Sequence, residues 1–101
     1  MYQVPYSNTH LEFDLPPGMR GTVVVSRPAE PLPDVEGAIT EALAHPTGSP
    51  PLREIAKPGD RVCIVFTDVT RASPDHLLVP ALLRELEAAG IHDEDITLLC
   101  G

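Results

Sequence analysis

One stretch constrains this chain more than any other: Arg61 to Ala89, RVCIVFTDVTRASPDHLLVPALLRELEAA. It begins with an apolar run, Val62 to Phe66, that shows no alternation. Such a run suits a parallel strand covered on both faces. After a polar loop, Asp68-Val69-Thr70-Arg71-Ala72-Ser73, the pattern changes to helical spacing. Ser73 is placed to cap the helix, with Pro74 at its first position and Asp75 in its first turn. Leu78, Leu82, Leu86 and Ala89 form the apolar stripe, widened by Leu77, Ala81 and Leu83. Pro80 lies inside this helix and predicts a kink or a tolerated break near the second turn. Gly90 suits the position just past the helix end. Ile96 to Cys100, ITLLC, is a second buried strand. Residues 61–101 therefore read as a βαβ unit, whose crossover is expected to be right-handed.

The segments before it are shorter. His10 to Leu15 alternates, with Leu11, Phe13 and Leu15 on one face, which marks a strand with one wet side. Pro16 to Gly21 is a turn by composition. Thr22 to Ser26, TVVVS, is β-branched, and pairing it with 10–15 gives an antiparallel hairpin with a long loop. Pro28, Pro31 and Pro33 keep the following segment extended. Asp34 is an N-cap for a helix running to about Ala44, with Val35, Ala38, Ile39, Ala42 and Leu43 facing inward and Pro46 ending it. Ser49 is the expected cap of a short helix holding Leu52 and Ile55. Lys57-Pro58-Gly59-Asp60 has the signature of a type II turn. The expected fold class is α/β. A β-hairpin and extended segment (1–33) and a helix and loop (34–60) precede the βαβ core (61–101), in an incomplete Rossmann-like three-layer arrangement. A chain that stops just after a buried strand is expected to be the N-terminal portion of a longer domain or a cut piece.

Composition narrows the function. The chain has 101 residues, and at this size a domain buries roughly two thirds of its unfolded surface. The net charge of −8 argues against a nucleic-acid partner, which needs a basic face. No run is long enough to span a membrane, and the N-terminus lacks the basic and apolar regions of a signal peptide. The 2 cysteines, Cys63 and Cys100, fall in apolar runs. On parallel strands they would stand roughly 13 Å apart, too far for a disulfide. They read as reduced core thiols of a cytoplasmic protein.

The chemistry is expected in the loop. Ligands of open α/β sheets bind beyond the carboxyl ends of the strands, which is where Asp68 to Ser73 lies. The helix start offers free N–H groups and a partial positive charge. Arg71 adds a full cation at the end where the helix dipole disfavours one, which makes sense if an anion sits between. A guanidinium holds a carboxylate through two parallel hydrogen bonds. Arg71 thus reads as a site for a small carboxylate or phosphate. Asp68 either orients it or accepts a hydrogen bond from a ligand hydroxyl. The competing reading is an internal Asp68–Arg71 ion pair that only stiffens the loop, and spacing alone leaves both open. Thr70, Ser73 and His76 are candidates for a supporting role, His76 because it follows the loop closely enough to face it. His10, His45 and His92 read as surface residues. No histidine or cysteine spacing suggests a metal site, and neither a dinucleotide fingerprint nor a P-loop is present.

Several segments in order resemble a known family: His10 to Pro16, Pro46 to Leu52 with Ile55 to Asp60, Thr67-Asp68-Val69-Thr70-Arg71, and Ala89 to Thr97. Together they resemble the N-terminal part of the nickel-pincer lactate racemases. That resemblance implies an isomerase that interconverts enantiomers of 2-hydroxy acids. Its cofactor is a nickel pincer built on a pyridinium mononucleotide, which takes a hydride from the substrate α-carbon and returns it to either face. It also implies that Asp68 and Arg71 bind the substrate, Arg71 by its carboxylate. The family commonly has proline after the arginine, where this chain has Ala72. The catalytic histidines and the cofactor-bearing lysine of the family lie downstream of a strand like Ile96–Cys100. The resemblance therefore implies no catalytic base and no metal ligand on these residues. The 101 residues alone are expected to be inactive and nickel-free, with the remainder of the polypeptide and a 2-hydroxy acid as partners. The alternative is a non-enzymatic α/β module that binds small anions or nucleotide phosphates.

Overall fold

A computed structural model describes residues 1–101. The chain forms two units, Met1–Pro31 and Leu32–Gly101, each considered by itself.

The first unit is built on a hairpin. Strand β1 (Tyr2–Tyr6) pairs antiparallel with β2 (Thr9–Phe13), from Tyr6 opposite Thr9 to Tyr2 opposite Phe13. Ser7 takes a positive φ of 52° at the first position of the connecting turn, as a tight hairpin turn with right-handed strand twist requires. The Tyr2 and Phe13 rings stack with centroids 5.8 Å apart, and Gln3 Nε2 donates to Glu12 Oε1 at 2.7 Å across the ladder. This corrects the expected pairing of 10–15 with 22–26. Thr22 to Ser26 is in no strand, and Val24 is 88% exposed. A short connection costs less closure entropy than a long one. Pro5 breaks the strand signal of Tyr2–Tyr6, yet a two-stranded ribbon tolerates it because each strand has an unpaired edge. The turn at Pro16 to Gly21 is present, with Met19 N donating to Pro16 O at 3.1 Å.

The second unit carries the βαβ motif. Helix α1 (Val35–Ala44) starts at Asp34, whose Oδ1 accepts from Gly37 N at 2.9 Å. Only Ala38, Ile39 and Leu43 of its expected inner stripe are half-buried; Val35 and Ala42 are exposed. Helix α2 (Leu52–Ile55) starts after Pro51 with no side-chain cap, so Ser49 does not cap it. The reason is Pro51 itself: a residue preceding proline is pushed out of the helical region, so Pro50 cannot be helical. The expected turn at Lys57–Asp60 forms, with Gly59 at φ 91° and Asp60 N donating to Lys57 O at 3.0 Å.

Strand β3 (Val62–Phe66) pairs parallel with β4 (Ile96–Cys100), Val62 opposite Ile96 and Phe66 opposite Cys100. Helix α3 (Asp75–Ala88) connects them and runs unbroken through Pro80. It ends in a Schellman motif: Ile91 N donates to Leu86 O and Gly90 N to Glu87 O, both at 3.0 Å, with Gly90 at φ 86°. A 3-10 turn, Asp93–Asp95, leads into β4. The core is Ile64, Leu86 and Ile91, flanked by half-buried side chains including Leu52, Val79 and Ile96.

Two expectations fail here. Strand β3 is covered on one face only: Ile64 is buried, while Cys63 and Val65 are exposed. The expected incomplete three-layer arrangement is seen here as two layers, with one face of the β3–β4 pair uncovered. For the same reason Cys63 and Cys100 are exposed free thiols and not core residues. Apolarity marks both residues as strand members, but it cannot say whether anything lies over the second face.

Candidate functional site

The site is the segment between the carboxyl end of β3 and the start of α3. Asp68 folds the segment back on itself. Its Oδ1 accepts from Thr70 N at 2.8 Å and from Thr70 Oγ1, and its carbonyl accepts from Arg71 N at 3.1 Å. These bonds to the ionised form, the Thr70 hydroxyl foremost, hold the Asp68 carboxyl below its usual range. Asp68 and Arg71 are brought into one turn, but the ion pairs of the protein lie elsewhere, and none joins these two residues. Thr70 takes up one oxygen of Asp68 and leaves Oδ2 without a protein donor. Arg71 stands exposed at the tip, beside a fully exposed Val69.

Ser73 does not cap the helix. The cap position belongs to Pro74, whose ψ of 54° is not helical, and Ser73 Oγ instead donates to Asp75 Oδ1 at 2.7 Å. The other oxygen of Asp75 accepts from Thr67 Oγ1 at 2.8 Å. These two bonds, Ser73 first, hold the Asp75 carboxyl below its usual range, with a smaller contribution from neighbouring His76. His76 itself is exposed on the first turn of α3. Asp75 is the residue that sequence reasoning missed, having taken it only as a first-turn acid. The signal for its role is the placement of Thr67 just past β3 and of Ser73 two residues before Asp75.

Further along, Glu85 is buried on α3 and forms a two-pronged pair with Arg53 of α2. Arg53 Nε donates to Oε2 at 2.8 Å and Nη2 to Oε1 at 2.5 Å. The pair fixes the two helices together, and the Arg53 hydrogen bonds lower the Glu85 carboxyl despite its burial.

No three His, Cys, Asp or Glu side chains converge on a point where a metal ion would be held. The hydroxyls of Thr67, Thr70 and Ser73 are all committed to carboxylates. The donor set of these residues does not fit a nickel centre. No helix is long and apolar enough to cross a membrane. What the segment presents is an exposed guanidinium with no carboxylate partner, and an Asp68 carboxylate with one oxygen free of protein donors in the same turn.

Against this geometry the comparison with known proteins is decisive. The sequence model of the lactate racemase N-terminal domain matches residues 6–101. The chain belongs to the lactate racemase N-terminal domain family. A lactate racemase of Thermoanaerobacterium thermosaccharolyticum is 28% identical over 86 residues, covering 83% of this chain and 20% of that protein. A lactate racemase of Lactiplantibacillus plantarum is 36% identical over 50 residues, 50% of this chain and 12% of that protein. The chain thus spans at most a fifth of the racemases it matches. The match covers the whole β3–α3 segment, so Asp68 and Arg71 lie within the matched region.

Proposed function

We propose that this chain is the N-terminal portion of a larger α/β domain of a nickel-pincer-dependent racemase or epimerase of 2-hydroxy acids, with the β3–α3 segment forming one wall of its substrate site. The observation that carries this reading is the exposed, unpaired Arg71 at the carboxyl end of β3 in a chain of the lactate racemase family. In this reading the guanidinium takes the substrate carboxylate through two parallel hydrogen bonds, and Asp68 Oδ2 accepts from the 2-hydroxyl. Together they fix the orientation of the α-carbon, the centre to be inverted. Thr70 and Ser73 shape the wall, and His76 borders it.

The reaction class is reversible removal and return of a hydride at the α-carbon. The residues present do not fit the metal; its ligands, and with them the base for the substrate hydroxyl, are assigned in this reading to the remainder of the polypeptide, and these residues supply binding and orientation. The open face of β3 and β4 is where that remainder adds the third layer of a Rossmann-like domain. The free thiols suit a reducing, cytoplasmic setting.

The test is racemisation of lactate and other 2-hydroxy acids by the full-length polypeptide carrying these residues, with deuterium at the substrate α-carbon. Retention of deuterium in the product enantiomer is expected, since a hydride taken and returned does not exchange with water. Washout of the label contradicts the hydride reading. Carboxylate or phosphate binding without racemisation of any acid returns the chain to a small-anion binding module.

A further inference from the structure

We propose that Asp75 is a positioning residue that holds Arg71 in place for substrate by closing the β3–α3 segment at both ends, an inference that rests on the substrate-site reading above. The hydrogen bonds inside the segment are local. Thr70 and Arg71 both bond back to Asp68, which shapes a turn but attaches it to nothing. The attachment comes from Asp75. One oxygen takes the Thr67 hydroxyl at the end of the strand, and the other takes the Ser73 hydroxyl at the far side of the turn. Residues 67 and 73 are thereby drawn to one group, so the Asp68–Ala72 span is a closed loop whose ends share a single anchor.

That anchor is fixed. Asp75 is the first residue of α3, and the same helix carries Ala81 and Leu86, which are 4% and 1% exposed. An ionised carboxylate in the first helical turn is favoured by the helix dipole, and O–H donors to a carboxylate make strong, short bonds. The Asp75 side chain therefore transmits the position of a core-packed helix to an otherwise exposed turn. Both of its oxygens are occupied by hydroxyls, so it is the frame for Arg71 and not its ion-pair partner. A binding group misplaced by about 1 Å loses much of its effect, which is why such a frame would matter.

The experiment uses the full-length enzyme and steady-state kinetics of 2-hydroxy acid racemisation for the wild type, Asp75→Ala, Arg71→Ala and the double variant. Asp75→Ala is expected to raise KM roughly tenfold with a smaller change in kcat, because substrate binding is what the frame serves. In the Arg71→Ala background the same substitution is expected to change KM less than about twofold, since nothing remains to be positioned. A paired Thr67→Val and Ser73→Ala variant, which leaves the helix start intact, should reproduce the effect of Asp75→Ala even if that variant folds poorly. An Asp75→Ala effect that persists in full without Arg71 overturns the inference and leaves the substrate site standing, as does an unchanged KM in both the Asp75 and hydroxyl variants. An unchanged KM in Arg71→Ala overturns both.

Discussion

Replacing Leu86 with alanine removes the side chain at the centre of the larger unit. Leu86 is 1% exposed and contacts the core formed by Ile64 and Ile91, with half-buried neighbours from α2, α3 and β4 around it. A buried leucine cut to alanine loses about 2–5 kcal/mol, the spread reflecting how far the site collapses. Here several neighbours, Leu52, Leu82 and Leu83 among them, are only half-buried and free to move inward, so the lower half of that range applies, about 3 kcal/mol. A domain of this size has a stability of only several kcal/mol, so the loss is a large share of the whole. At a tenfold change per 1.4 kcal/mol, the opening equilibrium rises roughly a hundredfold. The assay is amide hydrogen exchange of β3 and α3 in the full-length protein. Exchange there should accelerate by about that factor. An acceleration below about threefold would refute the placement of Leu86 at the centre of the core.

Three further outcomes follow from the same structure. Gly90→Ala places a Cβ 3.0 Å from Pro58 Cγ on a backbone at φ 86°, and should destabilise the unit by at least about 1–2 kcal/mol in thermal unfolding. Asp34→Ala removes the acceptor for Gly37 N and should cost about 1 kcal/mol, read as faster exchange in the first turn of α1. The third outcome concerns acid. Glu85, Asp75 and Asp68 all titrate below their ordinary values in the folded chain. A lowered folded pKa gives stability that is present above the unfolded value, about 4.5 for glutamate and 3.8 for aspartate, and is lost as pH falls through the folded one. Melting temperature should therefore drop progressively below about pH 4.5. Glu85→Gln should flatten part of that drop while lowering stability at neutral pH, because Arg53 then lacks its partner.

Much of the βαβ unit was legible because its signals are long and agree with one another. Val62–Phe66 and Ile96–Cys100 are strands, the stripe through Leu82 and Leu86 is the buried helix face, and Gly90 closes the helix as its type predicts. The errors have local causes. Ser49 and Ser73 both precede proline segments in which backbone restriction, not side-chain capping, sets where the helix begins. Tyr2–Tyr6 hides its strand character behind Pro5, and Thr22–Ser26 advertises a β propensity that has no partner to satisfy it. Whether β3 is covered on both faces could not be read from apolarity, since a strand covered on one face can have the same composition as one covered on two. At the site, spacing placed Asp68 and Arg71 in one turn but could not decide whether they pair. No ion pair joins them in the structure, and one Asp68 oxygen is taken by the Thr70 hydroxyl and N–H. The tie from Asp75 to Thr67 was out of reach, because it depends on side-chain directions at the ends of two different elements.

The proposal that Arg71 holds the carboxylate of a 2-hydroxy acid is tested by the KM for lactate or the preferred 2-hydroxy acid in full-length enzymes carrying Arg71→Lys and Arg71→Ala. A hydrogen bond to a charged group is worth about 1.5–3 kcal/mol, so Arg71→Ala should raise KM roughly ten- to a hundredfold. Lysine keeps the charge without the planar fork and should fall between. A KM for Arg71→Ala within about twofold of the wild type would show that Arg71 does not bind the substrate carboxylate.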